Sequence, residues 1–123
     1  MKNAFRYLIG AVIGGCVVGI LNLLIPRNNP YVQVTVSNDA AIPIQTARAD
    51  SEGGIYIIEN IPVGSSKTLK LYAAGESSYK LTVTFMNGKT LQGGAGYVES
   101  GYKVTENVTN ENIKSDIDLH GVY

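Results

Sequence analysis

The sequence predicts an all-β fold, a single β-sandwich preceded by one N-terminal transmembrane helix. Residues 7–25 form an uncharged, nearly all-apolar run of 19 residues. From residue 31 onward, short segments alternate apolar and polar side chains with period two, which indicates half-buried strands. No long stretch beyond residue 30 has the 3.6-residue period of an amphipathic helix. The 123 residues suffice for one domain of this kind.

The apolar run has the length of a membrane-spanning helix, which needs about 20 residues to cross a hydrocarbon core of about 30 Å. Lys2 and Arg6 precede it and only Arg27 follows closely. Since cytoplasmic flanks retain more positive charge, we expect the N-terminus in the cytoplasm of a bacterium and the remainder outside. The predicted division is a cytoplasmic N-terminus (1–6), an uncleaved signal-anchor helix in the cytoplasmic membrane (7–26), a linker (27–30) and an extracytoplasmic β-domain in the periplasm or outside (31–123).

Two alternatives for this segment stay open. A cleaved signal peptide would have a shorter apolar core and a small-x-small cleavage site. Cys16, the only cysteine, follows a string that loosely resembles a bacterial lipidation box, but an apolar segment follows it where a polar tether is expected.

Small residues at steps of four predict a packing ridge on the helix, formed by Ala11, Gly15 and Gly19. Close backbone approach over such a ridge favours helix association in lipid. The expected partners are therefore the lipid bilayer and a second membrane helix, either a partner's or a second copy in a homodimer. An extracytoplasmic protein partner is a further expectation.

Seven or eight short strands are expected after residue 30, which is the size and rhythm of one β-sandwich. The clearest is the first, where Val32, Val34 and Val36 alternate with polar residues. The others are expected near residues 42–49, 55–59, 69–73, 79–85, 102–108 and 113–119.

The hairpin around Asn87-Gly88 allows two registers. A two-residue turn would pair Thr84 with Leu91 and would put Leu91 on the face opposite Val83. A three-residue loop, Met86-Asn87-Gly88 with a left-handed glycine, pairs Val83 with Leu91 and keeps both apolar side chains on one face. We therefore predict the three-residue loop.

The segment Asp50-Ser-Glu-Gly-Gly-Ile-Tyr-Ile-Ile-Glu-Asn-Ile-Pro-Val-Gly64, after the opening strand 32–37, carries a turn-Gly-aromatic strand and an Asn-Ile-Pro-Val-Gly motif. Over residues 31–64 it resembles the transthyretin-like, carboxypeptidase-regulatory-like sandwich domains. The second half, from Gly-Glu-Ser-Ser-Tyr at 75–79 through Gly-Gly-Ala-Gly-Tyr-Val-Glu-Ser-Gly-Tyr at 93–102, is similar to small uncharacterised bacterial membrane-anchored proteins. The resemblance implies a non-catalytic β-sandwich of the immunoglobulin-like or transthyretin-like kind and assigns no functional residue.

The sequence favours no enzyme, cofactor or metal site. His120 is the only histidine, and the only cysteine lies in the predicted membrane helix, so a nucleophile has few candidate bases. Asp116, Asp118 and His120 share one strand face, but residues two apart on a strand stand roughly 6.5–7 Å apart, too far to chelate one ion unaided. We expect them on a solvated face, with Ile117 and Leu119 entering the core. Asp50 and Glu52, in a predicted turn, raise the same metal question and are interpreted as ordinary turn residues.

The net charge of the chain after the predicted anchor excludes nucleic-acid-binding proteins as a functional class. From Arg27 onward the chain has eight Lys/Arg and ten Asp/Glu, a net charge near −2. Such a domain has no basic surface for nucleic acid.

The glycine-rich stretch GGAGYVESGYK at residues 93–103 raises the question of a phosphate loop. Gly96 and Gly101 have the required interval, but Tyr102 stands at the lysine position and a strand, not a helix, is expected next. We interpret it as a β-corner, with Gly93 and Gly94 at a bulge or bend. The corner would present Tyr97, Glu99 and Tyr102 as an interaction surface, since tyrosine combines contact area with a polar tip.

These features favour a membrane-anchored structural or protein-interaction module. The alternatives are a sandwich that binds a small ligand or carbohydrate through the Gly/Tyr loop, and a subunit of an envelope assembly such as a pilus or secretion system. Pro26 argues against a pilin, because it would end the helix before a long helical spine.

Overall fold

The computed structural model describes residues 29–119. In this part of the chain the protein is all-β, with ten strands and no helix. The predicted anchor at 7–26, its ridge of Ala11, Gly15 and Gly19, Cys16 and His120 lie outside the described residues. No helix within 29–119 has the length and apolarity to cross a membrane. The strands are β1 (Tyr31–Asn38), β2 (Ile44–Ser51), β3 (Gly54–Ile61), β4 (Ser66–Tyr72), β5 (Glu76–Ser77), β6 (Tyr79–Phe85), β7 (Thr90–Gly93), β8 (Val98–Glu99), β9 (Lys103–Val108) and β10 (Ile113–Asp118).

The strands form two four-stranded sheets and one short ribbon. The first sheet has the order β10-β9-β1-β4, the second the order β3-β2-β6-β7, and β5 pairs with β8. In the first sheet β1 runs parallel to β9 and antiparallel to β4. The strands predicted from alternation are all present, whereas the two-residue strands β5 and β8 were not predicted.

Both sheets contribute their inner faces to one hydrophobic core. The alternation of β1 has the predicted effect, since Val32, Val34 and Val36 are each fully buried. The other fully buried large apolar side chains are Ile44, Ile61, Leu71, Leu81, Val83, Phe85, Val98, Val104 and Val108.

The β6–β7 hairpin has the predicted three-residue loop. Val83 pairs with Leu91, and the Phe85 amide donates to the Lys89 carbonyl at 2.9 Å. Gly88 has φ 88°, in the left-handed region that glycine occupies without steric cost.

The strand directions define two ends of the domain. The Tyr31 end is where β1 begins, and it also holds the end of β4, the start of β9 and the end of β10. The turn between β2 and β3 lies there too, because the Tyr72 amide donates to the Tyr56 hydroxyl at 3.1 Å. The Asn38 end is opposite, where the buried Asn38 amide donates to the carbonyls of Ile42 and Ile61.

The last strand differs from expectation. Ile117 and Leu119 were predicted to enter the core, but they are 39% and 40% exposed, so this prediction is wrong. β10 is the edge strand beside β9. The inward-pointing side chains of β10 near the Tyr31 end therefore lie beyond the edge of the opposite sheet and stay partly exposed to solvent.

Candidate functional site

The loop between β7 and β9 forms a corner that requires glycine. Gly94 has φ +116°, and a Cβ there would lie 2.4 Å from the Tyr79 carbonyl oxygen. The chain can therefore pass β6 closely only without a side chain. β7 ends at Gly93, so the regular strand stops where a bulge or bend was expected.

Tyr97, Glu99 and Tyr102, predicted together as an interaction surface, are brought into contact by this corner. The Tyr97 hydroxyl donates to Glu99 Oε1 at 2.5 Å, and the Tyr102 hydroxyl donates to Oε2 at 3.4 Å. The two rings meet edge to face, with centroids 6.4 Å apart and planes at 71°. This geometry is favourable for aromatic pairs.

The three side chains differ in exposure. Tyr97 is 48% exposed, whereas Tyr102 is 7% exposed and belongs to the core. Tyr102 directly precedes β9, and its side chain points inward, as that of Val104 does within the strand. The Tyr97 ring packs against the Tyr102 ring. The hydrogen bond to Glu99 is the main reason that the pKa of Tyr97 lies above its ordinary value, followed by desolvation and the charges of Glu76 and Glu99. The solvent-facing surface therefore consists of Tyr97 and Glu99.

Hydrogen bonds fix the corner to the Tyr31 end. The Gly101 amide donates to the Tyr31 carbonyl at 3.0 Å, and the Gln33 amide donates to the Tyr102 carbonyl at 2.9 Å. The Ser100 hydroxyl donates to the Ala73 carbonyl at 2.8 Å. The corner is thus tied to both β1 and the chain after β4, which holds Tyr97 in one place.

A second pair of tyrosines lies at the same end. Tyr31 and Tyr72 are directly paired across β1 and β4, and their rings are edge to face with centroids 6.1 Å apart. They are 44% and 48% exposed. The sequence alone does not predict this pair, because the two tyrosines come together only through the pairing of β1 with β4.

A buried polar cluster was missed by the sequence reasoning. Glu106, in the middle of β9, is fully buried. The Tyr79 hydroxyl donates to its Oε1 at 3.1 Å, and the Ser115 hydroxyl reaches both carboxyl oxygens, 2.9 Å from Oε2. The sequence does indicate that Glu106 points inward, because positions 104, 106 and 108 lie on the same face of a strand and Val104 and Val108 are apolar.

This cluster joins the two sheets, because Tyr79 belongs to β6 and Glu106 to β9. Burial, then the charge and the hydrogen bond of Glu106, raise the pKa of Tyr79 well above its ordinary value. Within residues 29–119, every buried side-chain nitrogen or oxygen has a hydrogen-bond partner. The cluster is therefore satisfied, as a buried polar group must be to avoid a desolvation cost.

A shallow pocket lies beside the corner. It has a volume of about 510 Å³ and lies between the β2–β3 turn, the start of β6 and the glycine loop. Its polar lining includes Asp50, Glu52 and Lys80, and its glycine wall includes Gly94 and Gly96.

The acidic residues considered for metal binding are not gathered into one site. Among residues 29–119 no group of three His, Cys, Asp or Glu side chains could hold a metal ion. Asp50 accepts two hydrogen bonds from Arg48, at 2.9 and 3.1 Å. Asp116 and Asp118 lie on β10.

Comparison with known proteins gives a likeness of fold. No protein-family model and no curated protein matches the chain. An NMR structure of a protein from Eubacterium rectale is similar with a TM-score of 0.54 and 12% sequence identity, covering 76% of this chain and 94% of that one. At this identity the likeness extends to the fold alone. The resemblance of residues 31–64 to transthyretin-like domains stays a prediction.

Proposed function

We propose that this chain is a single-pass bacterial membrane protein that displays a β-sandwich of the immunoglobulin-like or transthyretin-like kind outside the cytoplasmic membrane. In this proposal it is a non-enzymatic protein-interaction module, and the contact surface is Tyr97 with Glu99. The apolar run at 7–25 is followed by Pro26, the four-residue linker 27–30 and then β1, and this order supports the anchored arrangement.

The observation that carries the contact surface is the fixed, exposed ring of Tyr97. Its hydroxyl is bonded to Glu99 and its ring packs edge to face on the buried Tyr102. A side chain held in one orientation loses little conformational entropy on binding. Tyrosine is also among the residues that contribute most to binding at protein interfaces.

The topology is tested by fusing alkaline phosphatase after Tyr123 in cells. The fusion should be active, and a reporter that works only in the cytoplasm should be inactive at the same position. An inactive phosphatase together with an active cytoplasmic reporter would contradict the outward placement of the domain.

The contact surface is tested by photo-crosslinking from Gly96 in the full chain. Space at Gly96 is open, since a Cβ there meets no atom within 4 Å, so a photoreactive residue fits beside Tyr97 without disturbing the corner. A discrete crosslinked species should form from Gly96, should be lost when Tyr97→Ala is added, and should not form from Met86, which is exposed at the opposite end. A crosslink that survives Tyr97→Ala, or that forms equally from Met86, would contradict the assignment.

Binding of a small ligand or carbohydrate is the second candidate function, and the pocket beside the corner favours it. Its charged lining of Asp50, Glu52 and Lys80 offers hydrogen-bond donors and acceptors of the kind that orient polar ligands. Glu52→Gln combined with Lys80→Gln should abolish binding of such a ligand without unfolding the domain. Tyr102→Ala is unsuitable for this test, because Tyr102 is buried in the core.

A further inference from the structure

The exposed apolar side chains of the domain are concentrated at one end. Tyr31, Tyr72 and Ile117 lie at the Tyr31 end, where the chain enters the domain. Leu119 follows β10 at the same end, and Ile55 is the second residue of β3, next to Tyr56, whose hydroxyl accepts a hydrogen bond from the Tyr72 amide. Tyr97 is held there by the corner described above. Among residues 29–119, only Val63 and Met86 of the large exposed apolar side chains lie at the Asn38 end, with Ile57 midway.

The tether to the predicted anchor is short. Six Cα-to-Cα steps separate Ile25, the last residue of the apolar run, from Tyr31, so full extension places Tyr31 within about 22 Å of that residue. Each headgroup layer of a bilayer is roughly 5–7 Å thick. The Tyr31 end is therefore within reach of the headgroups. The Asn38 end is one length of β1 farther from the tether, about 26 Å for eight residues.

The side chains at the Tyr31 end have the chemistry of a membrane interface. Tyrosine rings are enriched at the headgroup level because they combine an apolar body with a polar tip. Tyr31 and Tyr72 present two such rings side by side, and Ile117 and Leu119 add aliphatic surface at the β10 edge.

We propose that the Tyr31 end of the β-domain, through Tyr31 and Tyr72 with Ile117 and Leu119, rests in the headgroup layer of the membrane that holds the anchor. This inference rests on the membrane anchorage proposed above. It fixes the orientation of the domain, with the strands of the first sheet rising from the lipid surface and the Asn38 end, which has fewer exposed apolar side chains, pointing away from it.

The charge at this end selects the kind of lipid surface. Five acidic residues lie at or beside the Tyr31 end, and they outnumber the nearby lysines Lys70, Lys80 and Lys103. The acidic residues are Asp50, Glu52, Glu76, Glu99 and Asp118. Like charges repel across a headgroup layer. The zwitterionic headgroup of phosphatidylcholine therefore fits the surface better than an anionic one.

The orientation also constrains the protein partner proposed for Tyr97. Because the corner is tied to Tyr31 by the Gly101 hydrogen bond, a partner that contacts Tyr97 must itself approach the membrane surface. Such a partner is membrane-bound or has a segment close to the bilayer.

Tryptophan fluorescence tests the proposal, because the chain has no tryptophan and one substitution supplies a single reporter. The full chain is reconstituted into phosphatidylcholine vesicles, with or without bromine near the top of the acyl chains. The Tyr31→Trp and Tyr72→Trp variants should lose most of their emission in brominated vesicles. The matched Met86→Trp and Val63→Trp variants, exposed at the Asn38 end, should keep theirs.

Flotation of the same vesicles separates the two levels of the proposal. A chain that does not float with the vesicles overturns both the anchor and the docking of the domain. A chain that floats, but whose Tyr31→Trp and Tyr72→Trp emission is unaffected by bromine, retains the anchor and overturns the docking. The emission of the Tyr31→Trp and Tyr72→Trp variants is also measured with iodide in the buffer as a quencher. If neither iodide nor bromine quenches it, a second copy of the chain covers this end, and that result also overturns the docking.

Discussion

Replacing Tyr79 by phenylalanine isolates the hydrogen bond that joins the two sheets. The substitution keeps the ring, which is 5% exposed, and removes only the hydroxyl that donates to Glu106 at 3.1 Å. Hydrogen bonds to charged groups contribute about 1.5–3 kcal/mol. Because Ser115 still donates to Glu106, we expect the lower part of this range, about 1.5–2 kcal/mol of unfolding free energy. For a domain of this size that is a fall in Tm of about 6–16 °C.

Alkaline pH gives an independent reading of the same contact. Burial, followed by the charge and hydrogen bond of Glu106, raises the pKa of Tyr79 above the ordinary value of 10.0. The folded state thus keeps a proton that the unfolded state releases. The contribution to stability is fully present below about pH 10 and falls as the pH rises above it, by at most about 1.4 kcal/mol per pH unit. The Tyr79→Phe variant lacks the hydroxyl that makes this contribution. Its unfolding free energy should therefore decline less steeply above pH 10 than that of the unsubstituted chain.

The measurement is urea unfolding of the full chain in detergent micelles, followed by far-ultraviolet circular dichroism at pH 7 and above pH 10. Tyr72→Phe is the matched control, since its ring is 48% exposed and its substitution should change the unfolding free energy by no more than about 0.5 kcal/mol. The reasoning is refuted if Tyr79→Phe behaves like Tyr72→Phe at neutral pH and shows the wild-type decline above pH 10.

Three further substitutions test the fold by the same urea measurement. Gly94→Ala should lower the unfolding free energy by about 2–4 kcal/mol, because alanine is strained at this positive φ and its Cβ would clash with the backbone of β6. Gly96→Ala is the control and should change the unfolding free energy little, because space at Gly96 is open. Equal losses in the two variants would contradict the close approach of Gly94 to β6. Asn38→Ala should cost about 2–4 kcal/mol, because the buried amide makes three hydrogen bonds to backbone groups; a loss below about 1 kcal/mol would show that water replaces it. Ile117→Ser should change stability by no more than about 0.5–1 kcal/mol at its 39% exposure, and a core-sized loss would restore the original expectation for β10.

The elements predicted best were those whose apolar pattern allows one solution. In the β6–β7 hairpin, Val83 and Leu91 can share the core face only with a three-residue loop, and that register is the one observed. The opening strand is similar, because Val32 to Val36 alternate without exception and are all buried. In both places the local pattern and the global burial agree.

The features that were missed depend on contacts distant in sequence. The strands β5 and β8 have two residues each, too few for a period to be read. Ile117 alternates correctly, but its burial depends on how far the opposite sheet extends over an edge strand. The Tyr31–Tyr72 pair likewise results from the pairing of β1 with β4 across 41 residues of chain.

Glu106 differs from these, because its inward position could be read from Val104 and Val108 but its partners could not. Ser115 lies directly opposite Glu106 in the β9–β10 register. A slip of β10 by one residue would bring Lys114 or Asp116 to that position and would turn Ile113 away from the core. An aspartate there would set a second carboxyl group against the buried carboxyl group of Glu106. The polar cluster therefore penalises the register that brings Asp116 to this position, in an edge strand whose exposed apolar residues specify its register weakly.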